Sequence, residues 1–245
     1  MVTCYDHTFA RLLARSPIDG ILVGDSAAMV MHGHSSTVSA SVEIMRMHTE
    51  AVARGAPDKF IVTDMPFLSF RKGLGAAMDT AAVLMTAGAQ AVKLEGVDGH
   101  EDVVRRLAES GVPVMGHLGL QPQSVNAYGG FHVQGRADED AREITRRAQV
   151  LEELGAFAVV LECVPAGLAA EITRTLRIPT IGIGAGAGCD GQILVLQDLL
   201  GLNPGFQPKF VRPFLDGART VLDALGRFDE EVKAGTFPAV EESYR

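Results

Sequence analysis

Four acidic residues in this sequence each close a short apolar run: Asp25 after GILVG, Asp64 after FIVT, Glu95 after AVKL and Glu162 after AVVL. His117 closes a fifth, VPVMG. A buried strand has no packing reason to finish in a carboxylate, because Asp and Glu are rarely buried unless paired or bound to a cation. A single such residue could serve as a helix N-cap at a strand-to-helix turn. Several of them converging on one mouth point instead to a hard-cation site. Mg²⁺ takes oxygen ligands from a few carboxylates and keeps positions for water and substrate. Asp25, Asp64 and Glu95 could supply that shell, some directly and some through water. Zinc fits less well, since no pair of histidines sits at ligand spacing. His32 and His34 alternate in a loop after the second run and read as exposed or hydrogen-bonded loop residues.

Lys93 precedes Glu95 by two positions, so strand alternation puts both side chains on one face. A lysine inside a barrel is costly unless it meets an anion. Either it forms an internal ion pair, or it offers a cation to a substrate carboxylate or a developing enolate oxygen. Glu162 is placed to act as a general base, removing the acidic hydrogen alpha to a carbonyl. Cys163 beside it has no evident His partner and reads as a packed thiol.

The elements that must position these groups follow from periodicity. Six runs have the length of buried parallel strands: Gly20–Asp25, Phe60–Asp64, Ala91–Glu95, Val112–His117, Phe157–Glu162 and Pro179–Gly184. Helical patterns separate them at Ser41–Arg54, Gly75–Ala87, Glu101–Ser110, Asp138–Leu154 and Leu168–Leu176. Met1–Cys4 and Ile193–Gln197 add a first and a late strand, which makes a single α/β domain over 1–245, a (β/α)8 barrel. Barrel strands present catalytic groups at their C-terminal ends, where these acids stand. From about Val211 to Lys233 the chain reads as one or two helices, packed outside the barrel or on a partner subunit.

Two further segments invite a role. Gly182–Gly188 alternates glycine but lacks the Lys-Ser/Thr of a phosphate loop, leaving a bound anionic group or a tight turn that lets a large ligand approach closely as readings. Leu118–Arg136 is long, polar and glycine-dotted, as a lid over a ligand would be.

Composition narrows the partners. The net charge of −8 and the absence of a Lys/Arg-rich run argue against nucleic acid. No stretch is long and apolar enough to predict a membrane span. Three widely spaced cysteines (Cys4, Cys163, Cys189) predict a reducing, cytoplasmic location rather than a disulfide frame.

Taken together, TCYDHTFA, LVGDSAAMVMHGHSST, TDMPF, AVKLEG, GHLGLQPQSVN with GGFHVQGR, VLECVP, and IPTIGIGAGAGCDGQILVLQD followed by PKF resemble the ketopantoate hydroxymethyltransferase family. The stretches fall in order from about Thr3 to Phe210. The resemblance implies a magnesium barrel of the phosphoenolpyruvate/pyruvate type. It implies transfer of a hydroxymethyl group from 5,10-methylenetetrahydrofolate to 3-methyl-2-oxobutanoate, giving 2-dehydropantoate on the route to pantothenate. By the same resemblance, Asp25, Asp64 and Glu95 are the Mg²⁺ sites, and Asp25, Ser26, Asp64 and Lys93 contact the keto acid. Glu162 is the proton acceptor, His117 lies in the pocket and Gln121–Arg136 is the lid. Family members usually carry a leading helix and a fuller first strand before the segment that here begins at Thr3, and they form large homo-oligomers, commonly decamers. Two rival readings share the acids: another magnesium-dependent 2-keto-acid lyase or aldolase, and a non-catalytic barrel serving as a binding module. A 2-methylisocitrate-type lyase calls for a cysteine in the lid loop, and none occurs between Cys4 and Cys163.

Overall fold

The computed structural model describes residues 1–205 and 208–244. Its eight strands are all parallel and lie in chain order: β1 (Val2–Thr3), β2 (Gly20–Val23), β3 (Phe60–Asp64), β4 (Ala91–Glu95), β5 (Val114–Gly119), β6 (Ala158–Glu162), β7 (Thr180–Ile183) and β8 (Gly191–Gln192). Just past β8, Leu194 bridges Val2 in parallel and accepts the Thr3 N–H at 3.1 Å, so the sheet curls back onto its first strand. The late strand is therefore not Ile193–Gln197 as its apolar run suggests. Pairing is over by Leu194, and Leu196–Leu199 is helical. A short apolar run does not by itself distinguish strand from buried helix.

Helices fill the crossovers that parallel strands require. They are α1 (His7–Ala14), α2 (Ala27–Val30), α3 (Val42–Gly55), α4 (Leu74–Thr86), α5 (Glu101–Glu109), α6 (Val125–Tyr128), α7 (Asp138–Glu153) and α8 (Ala166–Thr175). Their starts are chemically marked. Asp6 accepts the Phe9 N–H at 2.9 Å to cap α1, and Ser41 accepts the Ile44 N–H at 3.2 Å to cap α3. Asp138, Glu139 and Asp140 place negative charge in the first turn of α7, where the helix dipole favours it.

Side-chain alternation builds the interior. Leu22, Val62, Ala91, Met115, Ala158, Val160 and Ile193 form one apolar cluster, with Met1, Phe157, Ile181 and Ile183 packed against it. Two residues further along the same strands, the same face carries Asp64, Lys93, His117 and Glu162. The floor of the barrel is thus hydrocarbon and its mouth is ionisable.

No helix separates β7 from β8; the glycine run makes the connection. A Cβ on Gly186 would lie 2.4 Å from the Ala166 Cβ, and one on Gly188 would lie 2.7 Å from the Ala170 Cβ. Its surroundings account for these glycines by a close approach of backbone to α8, a packing role that neither ligand reading of the run names.

These elements belong to one compact unit, Met1–Val195; a second, Leu196–Arg245, contains α9 (Leu196–Leu199) and α10 (Gly217–Ala234). The tail thus holds one long helix. Leu222, Leu225 and Phe228 on α10 are exposed.

Gly186→Ala, which combines a positive φ of 77° with that contact, is expected to cost about 1–3 kcal/mol. Urea unfolding should show a lower midpoint at unchanged slope. An unaltered midpoint would contradict the packing role.

Candidate active site

Strand register sets the ionisable groups side by side. Asp64 on β3 pairs with Lys93 on β4, Glu95 on β4 pairs with His117 on β5, and Gly119 on β5 pairs with Glu162 on β6. Asp25 arrives differently. β2 ends at Val23, so Asp25 stands in the turn before α2 rather than on the strand. His117 is interior to β5, which runs on to Gly119.

Neither Asp25 nor Asp64 caps a helix. The Asp64 carboxylate accepts the Asp25 N–H at 3.0 Å, and Asp25 accepts from the Gln123 side chain at 2.8 Å. Lys93 Nζ lies 2.8 Å from Asp64 Oδ1 and 3.3 Å from His117 Nδ1. His117 Nε2 lies 3.1 Å from Glu162 Oε2, and Glu95 Oε1 is 3.7 Å from His117 Nδ1. An ammonium group has only donors, so the Nδ1 facing it must accept, which leaves the imidazole proton on Nε2; that nitrogen lies near Glu162 but without the alignment of a hydrogen bond. Ser26 Oγ is 2.8 Å from the Tyr5 hydroxyl. The predicted residues therefore meet in one connected cluster, with Ser26 adjoining it through Asp25.

Burial and charge govern this cluster. Asp25, Asp64, Lys93, Glu95 and His117 are all buried, whereas the Glu162 side chain keeps 18% of its exposure. Burial and then the Asp64 charge push Asp25 up to about 7. Burial and then Asp25 raise Glu95 well above the usual carboxylate range. Burial alone would depress the Lys93 ammonium, but Asp64, Asp25 and Glu95 outweigh it and hold the group charged. Burial, followed by Lys93, lowers His117, so its ring is neutral near pH 7. Four carboxylates, Asp25, Asp64, Glu95 and Glu162, thus face one ammonium.

That imbalance fits a divalent cation. Asp64 Oδ1 is buried without an aligned hydrogen-bond donor, since Lys93 approaches it off the ideal angle. Among the described residues no three His, Cys, Asp or Glu side chains form a ready cage. Mg²⁺ does not need one, because it is commonly held by one or two carboxylates and fills its shell with water and substrate oxygens.

Two contributors escape a reading by residue type. Tyr5, within the TCYD segment, reaches Ser26. Gln123, within the suspected lid, reaches Asp25 and also donates its backbone N–H to Glu95 at 3.1 Å. Only their presence in unusual polar segments marked them. The lid segment itself holds a 3-10 turn (Pro122–Ser124) and α6. His32 stands apart from the acids; its Nε2 is 2.8 Å from that of His48. Cys163 adopts a left-handed φ of 48°, and burial pushes its thiol up to about 12, so it is no nucleophile at neutral pH.

A family model described as ketopantoate hydroxymethyltransferase matches residues 1–240. The chain is 59% identical over 244 residues to a protein of Bdellovibrio bacteriovorus named 3-methyl-2-oxobutanoate hydroxymethyltransferase, covering 100% of this chain and 93% of that one. A Coxiella burnetii protein of the same name is 55% identical over 242 residues, covering 98% and 91%. Among solved structures, 2,3-dimethylmalate lyase, a PEP mutase/isocitrate lyase superfamily member, aligns with a TM-score of 0.62 at 15% identity, covering 100% of this chain and 85% of that one. Phosphonopyruvate hydrolase in complex with oxalate and Mg²⁺ aligns with a TM-score of 0.62 at 13% identity, covering 98% and 87%. The structural likenesses establish the shared barrel.

The raised acid gives a pH signature. A carboxyl that binds its proton more tightly folded than unfolded stabilises the fold below its unfolded value and loses that contribution as pH rises through its folded value. For Asp25 the window runs from 3.8 to about 7. Without added metal, Asp25→Asn is expected to gain thermal stability over wild type progressively as pH rises across this window, as measured by calorimetry. A constant difference would contradict the assignment.

Proposed function

This chain belongs to the ketopantoate hydroxymethyltransferase family, and from that membership we propose how its barrel mouth adds a hydroxymethyl group to 3-methyl-2-oxobutanoate in pantothenate biosynthesis. Asp25 and Asp64 would hold a Mg²⁺ ion, with Glu95 behind them acting directly or through water. When bound, the ion would supply Lewis-acid polarisation of the keto acid's carbonyl. The Mg²⁺-bound neighbour on the same barrel is in keeping with this assignment. The one-carbon donor is 5,10-methylenetetrahydrofolate, whose own chemistry delivers the carbon while the protein orients it and excludes competing reactions.

The residues of the chain divide the remaining work. Glu162 is the acid within reach of solvent and hence of substrate, and it accepts the proton from C3 of the keto acid. The His117 Nε2–H stands 3.1 Å from Glu162 Oε2 without hydrogen-bond alignment, a polar neighbour that leaves the carboxylate free to take up that proton. Lys93 keeps a permanent positive charge between Asp64 and His117, where it offsets the negative charge that develops on the substrate oxygens. Ser26, held by Tyr5, offers a hydroxyl beside Asp25 to the keto-acid carboxylate. The hydroxyl oxygen comes from water: hydrolysis of the donor's methylene bridge breaks its two C–N bonds, releases tetrahydrofolate and gives formaldehyde. The C3 carbanion forms its C–C bond to that carbon, and the resulting alkoxide takes up a proton to leave the hydroxymethyl group.

The observation that carries this reading is the Asp64–Lys93–His117–Glu162 chain of contacts, which ends on the one partly exposed carboxylate. It favours an enolising enzyme over a binding module, which has no use for so costly a buried array. Three free cysteines support cytoplasmic residence. The exposed apolar face of α10 supports the homo-oligomer, with a decamer as the family expectation.

Formation of 2-dehydropantoate from the keto acid and methylenetetrahydrofolate, assayed with Mg²⁺, tests the activity. Glu162→Gln is expected to lower kcat by about 10²–10⁴-fold, with keto-acid binding retained in calorimetry. Full activity in this variant would remove Glu162 from the base role. Asp64→Ala should weaken Mg²⁺ binding; unchanged affinity would count against its place as a ligand.

A further inference from the structure

Gln123 is an uncharged residue joined to two acids of the cluster at once. It lies in the turn Pro122–Ser124, immediately after β5, and is buried. Its side-chain Nε2 donates to Asp25 Oδ2 at 2.8 Å and to the Met65 carbonyl at 3.0 Å. Both amide hydrogens are thereby used. Its backbone N–H faces the Glu95 carboxylate, 3.1 Å from Oε2 and 3.4 Å from Oε1. An amide orients a carboxylate without neutralising it, which a lysine at the same place would do. The amide occupies Oδ2 of Asp25 and leaves its second oxygen for a cation.

The same residue lies near the start of the segment Gln121–Arg136, and the far end of that segment is anchored beside the base. Gln134 N donates to the Cys163 carbonyl at 2.9 Å. On the near side, Leu120 N donates to the Glu162 carbonyl at 2.8 Å. A Cβ on Gly119 would come within 2.2 Å of that carbonyl oxygen, so glycine is required where β5 passes β6. The segment is thus tied at one end to two acids and at both ends to the backbone of Glu162–Cys163.

We propose that Gln123 is the positioning residue of the cation site, orienting Asp25 through its amide and Glu95 through its backbone N–H, so that cation affinity and ordering of residues 121–136 are coupled. The proposal rests on the reading of Asp25 and Glu95 as cation-site acids. By reciprocity of linked equilibria, an ion that favours the oriented carboxylates also favours the seated segment.

Gln123→Met keeps the side-chain volume and the backbone N–H but removes both amide donors. Its Mg²⁺ dissociation constant, measured by calorimetry without substrate, is expected to rise about 10–100-fold, the usual cost of losing an outer-shell partner. In the assay the Mg²⁺ half-saturation concentration should shift more than kcat. A purely structural role would lower kcat at every Mg²⁺ concentration and leave the dissociation constant alone, and that result overturns the proposal. In the wild-type chain, Mg²⁺ should slow amide hydrogen exchange over 121–136, a readout that does not depend on whether a variant folds; unchanged exchange with Mg²⁺ bound also overturns it. If the wild-type chain binds no Mg²⁺, the cation reading fails first and the proposal falls with it. Wild-type binding matched by Gln123→Met would end the proposal alone.

Discussion

Like charges packed out of water are the constraint around which this molecule is arranged. Asp25, Asp64, Glu95 and Glu162 share the barrel mouth with Lys93 as their ammonium partner, and burial denies most of them the solvent that would screen their repulsion. Such a group of acids has two ways to become tolerable. It can take up protons, as the raised Asp25 and Glu95 do, or it can take up a cation. A site that moves between these states binds a divalent ion in exchange for protons. On the function proposed above, such a site would keep carboxylates ready to act once a chelating keto acid arrives.

The rest of the architecture makes that arrangement affordable. Parallel register, not a single loop, brings Asp64 beside Lys93, Glu95 beside His117 and Gly119 beside Glu162. Beneath them a hydrocarbon floor of Leu22, Val62, Met115 and Val160 fixes the strand faces, because a slip of one residue would turn every charged group away from the interior. Neutral donors then satisfy the acids without discharging them: the Asp25 N–H on Asp64 and the Gln123 amide on Asp25. Rigid strands carry the charges, and a single turn after β5 ties them together.

Much of this was legible in the sequence, for physical reasons that also mark where legibility stopped. A carboxylate closing a Val/Ile-rich run is conspicuous because burial penalises it, so Asp64, Glu95 and Glu162 stood out, and period-two alternation placed Lys93 with Glu95. The strand limits drifted where apolar character continued past the last ladder bond. GILVGD reads as strand to Asp25 although pairing stops at Val23, and ILVLQ reads as strand although Leu196 already begins a helical turn. The place of His117 between Lys93 and Glu162 depends on register across three strands, and no local pattern encodes it. Gln123 stayed hidden because an amide bears no charge and little propensity; only its partners on β4 and beyond β2 and β3 reveal it. The glycine run suggested only ligand roles in the sequence; its packing against Ala166 and Ala170 of α8 is a tertiary contact that no local pattern encodes.

Isotope exchange at C3 of 3-methyl-2-oxobutanoate, followed in D₂O with the wild-type chain and no folate, bears most directly on the claim that these acids gather around a cation in order to enolise a keto acid. The arrangement predicts exchange that appears with Mg²⁺ and stops when the ion is chelated. Exchange that proceeds equally without the ion, or none even with it, would contradict that claim.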